Sequence, residues 1–158
     1  MKSANIDEFY YSTAEILTNL YVAFPVRQIL LVEDVTGPIK WDMTGLPDRK
    51  SKACFEAMIW HSENDLLTFR TVEPRDIGVE GAVLTQRAFV LLNGLITWEG
   101  GGSMSRIDAM LEARAQRAYD DLGTVVQDLL TANCQWGAPV NVPRLVKAPP
   151  LGVGTEEA

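Results

Sequence analysis

The side chains that could do catalytic chemistry are few and lie far apart in the chain. His61 is the single histidine, and an imidazole can act as a general base because it titrates near neutral pH. A general base needs a positioned partner, and no serine or cysteine nucleophile motif accompanies His61. Cys54 and Cys134 lack the CxxC spacing of a metal or redox pair. The sequence therefore predicts no catalytic, metal or cofactor site, and His61 is expected to pack or to face solvent.

A second set of candidates is basic and could bind phosphate or another anion. Three basic residues fall within four positions and two more follow them: Arg49, Lys50, Lys52, Arg70 and Arg75. The whole chain has a formal charge of −7 at pH 7. Acids and bases are equal in number over 49–95, whereas acids are in excess on both sides of that segment. A surface that binds nucleic acid normally shows a clear positive excess, so the charge only weakly supports DNA binding.

The spacing of apolar residues predicts a long first helix. Apolar side chains recur every three or four positions from Ile6 to Phe24, as on the buried face of a helix. Asn5 and Glu8 have the spacing of a capping box that would begin the helix, and Pro25 would end it.

Short elements are predicted after that helix. The expected order is a short helix that runs through 29–31 and is stopped by Thr36-Gly37-Pro38, an irregular segment at 36–50, a helix at 51–62, strands at 66–72 and 81–84, and a helix at 86–95. Pro25 is suited to open the short helix. Pro74 and Gly78 keep the connection between the two strands open, so that the second strand can pair back on the first. Thr85 is placed to cap the last helix.

This order of elements, with several local residue patterns, resembles the winged-helix superfamily. In that superfamily a helix with an aromatic or leucine end leads through an acidic turn into a strand, and the second strand ends in Leu-Thr before a helix with paired leucines. The matching residues are Trp60, Glu63-Asn64-Asp65, Leu66–Arg70, Leu84-Thr85, Ala88, Leu91 and Leu92. Two departures are Asn64-Asp65 where the superfamily has glycine, and Arg87-Ala88 where it has Lys-Gly.

The resemblance covers about residues 6–95 and implies an α+β, mostly α architecture. It implies a winged-helix domain over 1–97, with three helices, a two-stranded wing hairpin and a following helix. In DNA-binding members, the helix before the hairpin enters the major groove and the wing contacts the backbone or the minor groove. The implied DNA contacts are Arg49, Lys50, Lys52, Arg70 and Arg75. The alternative is that these five are solvated surface charges.

The rest of the chain is predicted to carry a partner-binding helix. Residues 98–104 contain a triple glycine and are interpreted as a flexible linker. A long helix is predicted over 105–132, with small and apolar residues spaced close to a heptad seam. The seam residues are Ile107, Leu111, Ala115, Ala118, Leu122, Val125 and Leu129. They predict a homodimer through this helix, or else packing of the stripe within one chain. The Pro/Gly-rich tail over 133–158 is expected to be flexible.

Two functions fit these observations. The resemblance favours a non-enzymatic, regulator-like protein, or a phage or plasmid accessory protein, that binds DNA weakly or together with a partner. The acidic net charge favours the alternative, a protein-interaction module of the adaptor, inhibitor or immunity type that does not bind DNA. No apolar run is long enough to cross a bilayer and the N-terminal residues lack a signal sequence, so no membrane association and a cytoplasmic location are expected.

Overall fold

The computed structural model describes residues 3–98 and 101–135, together with the backbone of 145–146. The chain is α+β and mostly helical, as the sequence predicts. It divides into two compact units, Met1–Phe89 and Val90–Ala158, and each unit has a small sheet.

The first unit alternates helices with short strands. Its elements are α1 (Ala4–Ala23), β1 (Gln28–Leu31), α2 (Val32–Thr36), α3 (Arg49–Glu63), β2 (Leu67–Thr68), β3 (Thr71–Val72), β4 (Gly78–Leu84) and the start of α4 (Gln86–Asn93). The central strand is β4, because β1 pairs antiparallel with one of its edges while β2 and β3 pair antiparallel with the other. The strands predicted over 66–72 and 81–84 therefore pair with each other, although the first is split into β2 and β3.

The inward face of α1 forms much of the core of this unit. Its buried apolar residues are Ala14, Ile16, Leu17 and Leu20. Burying one large apolar side chain stabilises the fold by about 1.5–3 kcal/mol. The helix begins at Ala4, and the backbone carbonyl of Ser3 accepts hydrogen bonds from N–H groups of the first turn. The capping box predicted at Asn5 and Glu8 is wrong, because Asn5 already lies inside the helix.

The short helix predicted between Pro25 and Thr36 is present only as α2, and residues 29–31, which were expected to be helical, are part of strand β1. Leu30 is buried opposite Val79 while Ile29 is exposed, which is the alternation expected of a strand. The two strands approach closely at Gly78, where a Cβ atom would lie 2.5 Å from the carbonyl oxygen of Leu30. A run as short as QILL does not distinguish helix from strand by periodicity, so pairing with β4 decides its structure.

The second unit contains a hairpin followed by two helices. Its elements after α4 are β5 (Leu95–Trp98), β6 (Ser103–Ser105), α5 (Arg106–Ala115), α6 (Tyr119–Cys134) and β7 (Leu145–Val146). β5 pairs antiparallel with β6 and parallel with β7. The linker prediction for 98–104 is corrected within the described residues, since Trp98 ends β5, Gly101 and Gly102 lie between β5 and β6, and residues 103–104 belong to β6. The backbone N–H of Trp98 donates to the Gly102 carbonyl at 2.8 Å.

The prediction of a single helix over 105–132 is also corrected, because this segment forms two helices, α5 and α6. Ser105 caps α5, since its hydroxyl accepts a hydrogen bond from the backbone N–H of Asp108. The chain then turns at Arg117, which has a φ of +55°. α5 and α6 pack against each other. The flexible tail predicted over 133–158 lies outside the described residues, except for the end of α6, the residue that follows it and β7.

Candidate functional site

Arg49, the first of the predicted DNA contacts, is paired within the chain. Its Nη2 atom donates to both carboxylate oxygens of Glu8 on α1, at 2.9 and 3.1 Å. The hydrogen bonds to Glu8 raise the pKa of the Arg49 guanidinium above its usual value. The pair is open to solvent, with the Arg49 side chain 67% exposed. Much of the charge that Arg49 could offer to a phosphate is therefore already compensated by Glu8.

The other four predicted contacts are exposed and lie on two separate elements. Lys50 and Lys52 lie on the first turn of α3, and Arg70 and Arg75 lie on the hairpin built from β2, β3 and β4. The guanidinium of Arg75 stacks over the ring of Trp41, 5.1 Å from its centroid. The structure thus brings Arg49, Lys50 and Lys52 together on one helix turn.

The exposed side of α3 changes character along its length. Beyond the basic first turn, its exposed residues are Ala53, Glu56, Trp60 and Glu63. A helix lying in the major groove would bring such carboxylates towards the polyanionic backbone, where like charges repel. The surface of α3 is therefore mixed in charge, with an exposed aromatic residue near its C-terminal end.

A groove of about 320 Å³ lies between α1 and α3. Its apolar lining includes Ile6 and Phe9 from α1 with Ala53, Ala57 and Trp60 from α3. The ring of Trp60 meets that of Phe9 edge to face, with centroids 5.4 Å apart. Charged residues also line the groove, namely Glu8, Lys50 and Glu56. This groove could not be predicted from the sequence, because it depends on how two helices about 45 positions apart are packed.

The candidate base, His61, is fully buried beneath this part of the unit. Its Nε2 atom lies 2.9 Å from the hydroxyl oxygen of Thr13, and its ring stacks on Phe9. Burial lowers the pKa of His61 to about 4. A buried imidazole that is neutral at physiological pH packs into the core, so of the two alternatives predicted for His61 the structure shows packing and not exposure to solvent.

The thiol of Cys54 lines the groove but is poorly suited to nucleophilic chemistry. Burial raises the pKa of this thiol to about 12, although a hydrogen bond with Ser12 opposes the shift. The thiolate is the reactive form of cysteine, so Cys54 is almost entirely in its unreactive form near neutral pH. Cys54 therefore contributes to the apolar lining of the groove.

The seam residues predicted to form a dimer interface are mostly buried within one chain. Ile107, Leu122, Val125 and Leu129 are buried, Leu111 and Ala118 are half-buried, and Ala115 is exposed. The break between α5 and α6 divides the stripe, so its members do not form a continuous seam on one helix.

A buried ion pair that the sequence did not indicate joins the two helices of the second unit. The Nε atom of Arg106 donates to Oδ2 of Asp128 at 2.8 Å, and both side chains are nearly buried. The Nη1 atom of Arg106 donates to the Leu91 carbonyl at 2.8 Å. Every one of these contacts is internal to the chain, which gives the pair a structural role.

Comparisons with protein-family models, with curated protein sequences and with solved structures gave no significant match. In the described part of the chain, no group of three or more His, Cys, Asp or Glu side chains is arranged to hold a metal ion. Among the helices that the structure describes, none combines the length and the apolar character needed to cross a bilayer.

Proposed function

We propose that this chain is a non-enzymatic interaction module with a winged-helix arrangement, and that it binds a protein partner at the groove between α1 and α3. The order of elements in the first unit supports the arrangement, because α3 is followed by an antiparallel hairpin and then by α4. The acidic net charge of −7 favours a protein partner over nucleic acid.

The observation that carries this proposal is the exposure of two large apolar residues in the groove. Ile6 is 43% exposed and Trp60 is 41% exposed, although both lie beside the apolar surface of Phe9 and Ala57. Trp is among the residues that most often dominate the free energy of protein association. A partner that fills the groove would bury Trp60 further and remove this apolar surface from water.

The charges around the groove support protein over DNA. Glu8 compensates Arg49, and Glu56 on the same exposed side of α3 opposes Lys50 and Lys52. This mixture lacks the positive excess that attracts a polyphosphate, whereas interfaces between proteins tolerate mixed charge at their rims.

The test begins with a photo-crosslinking amino acid at position 6, followed by mass spectrometry to identify the captured partner. The purified partner is then titrated by calorimetry against the wild-type chain, Trp60→Ser and Val72→Ser. Val72 is a matched control because it is 38% exposed but lies on the hairpin strand β3. We expect Trp60→Ser to weaken binding about tenfold or more, and Val72→Ser to change it less than about twofold. Equal affinities for the three chains would contradict the proposal.

DNA binding is the second candidate function, and one observation favours it. Lys50, Lys52, Arg70 and Arg75 are all exposed, on the helix and hairpin that the winged-helix resemblance assigns to DNA contact. Binding to a duplex at about 20 mM salt that falls steeply as salt is added would support it. Loss of that binding in Lys50→Gln/Lys52→Gln, with Trp60→Ser unaffected, would establish DNA as the ligand in place of protein.

A further inference from the structure

We propose that residues 41–47, here called the Trp41 loop, form a second docking surface, which binds a peptide segment carrying large apolar and acidic side chains. This surface is separate from the lining of the α1–α3 groove, and the inference does not depend on the function proposed for that groove.

The Trp41 loop is held in shape by its own hydrogen bonds. Trp41 and Pro47 form an antiparallel bridge, and the backbone N–H of Asp42 donates to the Leu46 carbonyl at 2.9 Å. The Oδ1 atom of Asp42 accepts hydrogen bonds from the backbone N–H and hydroxyl of Thr44, at 2.8 and 2.7 Å, and from the backbone N–H of Leu46 at 2.9 Å. These bonds fix the loop before any partner arrives, which lowers the entropy lost on binding.

Three large apolar side chains of this ordered loop are open to solvent. Met43 is fully exposed, Leu46 is 59% exposed and Trp41 is 39% exposed. Apolar residues that cluster on the surface of a protein commonly mark an interaction site. Methionine is flexible and polarisable, and it is frequent on surfaces that bind peptides. The ordered loop thus presents apolar side chains that the fold of the chain leaves exposed.

Two cationic side chains near the loop, Lys40 and Arg75, favour an acidic partner, and the carboxylate of Glu73 beside Arg75 already accepts a hydrogen bond from the Arg75 backbone N–H at 2.9 Å. Asp42 uses one carboxylate oxygen for the three bonds of the loop, and Asp48 accepts from the Lys40 backbone N–H at 3.1 Å and from the Ser51 hydroxyl at 2.7 Å. The cationic groups of Lys40 and Arg75 form no ion pair within the described residues. Arg75 instead stacks on Trp41, at the edge of the apolar surface.

A carboxylate on a bound peptide could pair with Arg75, which stacks on Trp41, or with Lys40, the residue that precedes Trp41 in the chain. The apolar side chains of the same peptide would contact Met43 and Leu46. Lipid is disfavoured as the occupant, because attraction to an anionic membrane typically requires a cluster of about 4–8 basic residues. Lys40 and Arg75 are two, on a chain whose net charge is −7.

The experiment uses the whole chain labelled with 13C at the methionine methyl groups, with the Met43 resonance assigned from Met43→Leu. The probes are synthetic peptides of about twelve residues that carry aromatic or leucine side chains together with Asp or Glu, and copies in which Asn or Gln replaces every acid. We expect the acidic peptides to shift the Met43 methyl and the Trp41 indole resonances. We expect affinity to fall about tenfold in Met43→Ser and severalfold in Arg75→Gln or with the amide peptides.

Because Met43 is fully exposed, Met43→Ser removes a contact without disturbing the core. Trp60→Ser is expected to leave peptide binding unchanged, which separates this surface from the groove. The inference is overturned if no acidic peptide shifts Met43 at about 1 mM, or if acidic and amide peptides bind equally. It is also overturned if Met43 responds instead to anionic lipid vesicles, or to the concentration of the protein alone, since membrane or a second copy would then be the occupant.

Discussion

The side chains around His61 determine where its proton lies. Thr13 donates its hydroxyl hydrogen to the Phe9 carbonyl at 2.7 Å, so its oxygen is left to accept. The Nε2 atom of His61, 2.9 Å away, must therefore carry the hydrogen and donate to Thr13. Nδ1 is then the bare nitrogen, and it is buried without a hydrogen-bond partner among the described residues. A second proton on this ring would introduce a charge that no neighbour there solvates.

We therefore predict that His61 makes the protein sensitive to acid. The pKa of His61 falls from 6.5 to about 4 on folding, so between these pH values the unfolded chain binds a proton that the folded chain does not. The contribution of the neutral His61 to the free energy of unfolding is full above pH 6.5. It is lost as the pH falls towards 4, by up to about 3 kcal/mol. Urea unfolding across this pH range measures the free energy of unfolding of the wild-type chain and of His61→Leu. The difference between the two chains isolates His61, because the carboxylates are common to both.

A parallel pH dependence in the two chains would contradict this prediction.

Thr13→Val is a useful companion variant, because it leaves the Nε2–H of His61 without its acceptor. We expect it to lower stability at neutral pH by about 1–3 kcal/mol, the cost of an unsatisfied buried donor.

At the scale of elements, the ion pair of Arg106 and Asp128 connects the start of α5 to α6. We predict that Asp128→Asn lowers the free energy of unfolding by about 3–5 kcal/mol, because the Arg106 guanidinium is left buried without its counter-charge. Replacing both residues, as Arg106→Met/Asp128→Leu, should recover most of the loss, since no unpaired charge remains. Glu8→Gln is the control, because the Arg49–Glu8 pair that it breaks is exposed and should matter little.

Urea titration of the four chains measures these differences in stability. Equal losses in the single Asp128 variant and in the double variant would mean that the pair does not act through its charge.

The contact between β1 and β4 yields a second prediction at this scale. Gly78→Ala would place a Cβ atom 2.5 Å from the Leu30 carbonyl oxygen, a backbone atom that cannot move without shifting strand β1. We expect a loss of about 1–3 kcal/mol, as for other overpacked sites. Gly102→Ala is the matched control, since its nearest contact would be 3.6 Å from a Trp98 ring atom. Thermal unfolding should separate the two variants, and similar melting temperatures would refute the argument.

The elements that the sequence predicted well are those whose structure is determined locally. α1 follows from its apolar spacing, and the caps of α4 and α5 follow from Thr85 and Ser105, whose hydroxyl groups accept the expected hydrogen bonds. The errors arose where distant pairing decides. β1 is a strand because β4 lies beside it, and Gly101 and Gly102 lie in a hairpin because β6 pairs with β5.

The candidate site shows the same division between local and distant causes. The sequence placed three basic residues on one helix turn, but it could not show that Glu8, 41 positions before Arg49, compensates that arginine. The break between α5 and α6 could not be predicted from a glycine or a proline, because neither residue occurs there. The residue that takes the left-handed conformation at the break is Arg117. A residue without a special preference adopts such a conformation when the packing around it stabilises the fold enough to offset the strain.

At the scale of the whole molecule, the predicted homodimer can be tested through the seam. Leu122 is buried within one chain, so Leu122→Asp should place a carboxylate in an apolar core and cost at least about 3 kcal/mol. Because this loss is internal, the melting temperature should fall by the same amount at every protein concentration. Ala115→Asp is the control, because Ala115 is exposed on the same stripe. Ala115→Asp should leave the stability of the chain unchanged. It should also leave the molecular mass in solution unchanged, unless a second copy covers that position.

Light scattering and thermal unfolding over a wide range of protein concentration distinguish the two uses of the stripe. If the stripe joins two copies, the wild-type melting temperature rises with concentration and Leu122→Asp gives a folded monomer of half the mass. If the stripe packs within the chain, Leu122→Asp is destabilised without any change in the mass of the molecules that remain folded. The burial of Ile107, Leu122, Val125 and Leu129 leads us to expect the second result, because a side chain already enclosed by its own chain has little surface left for a partner.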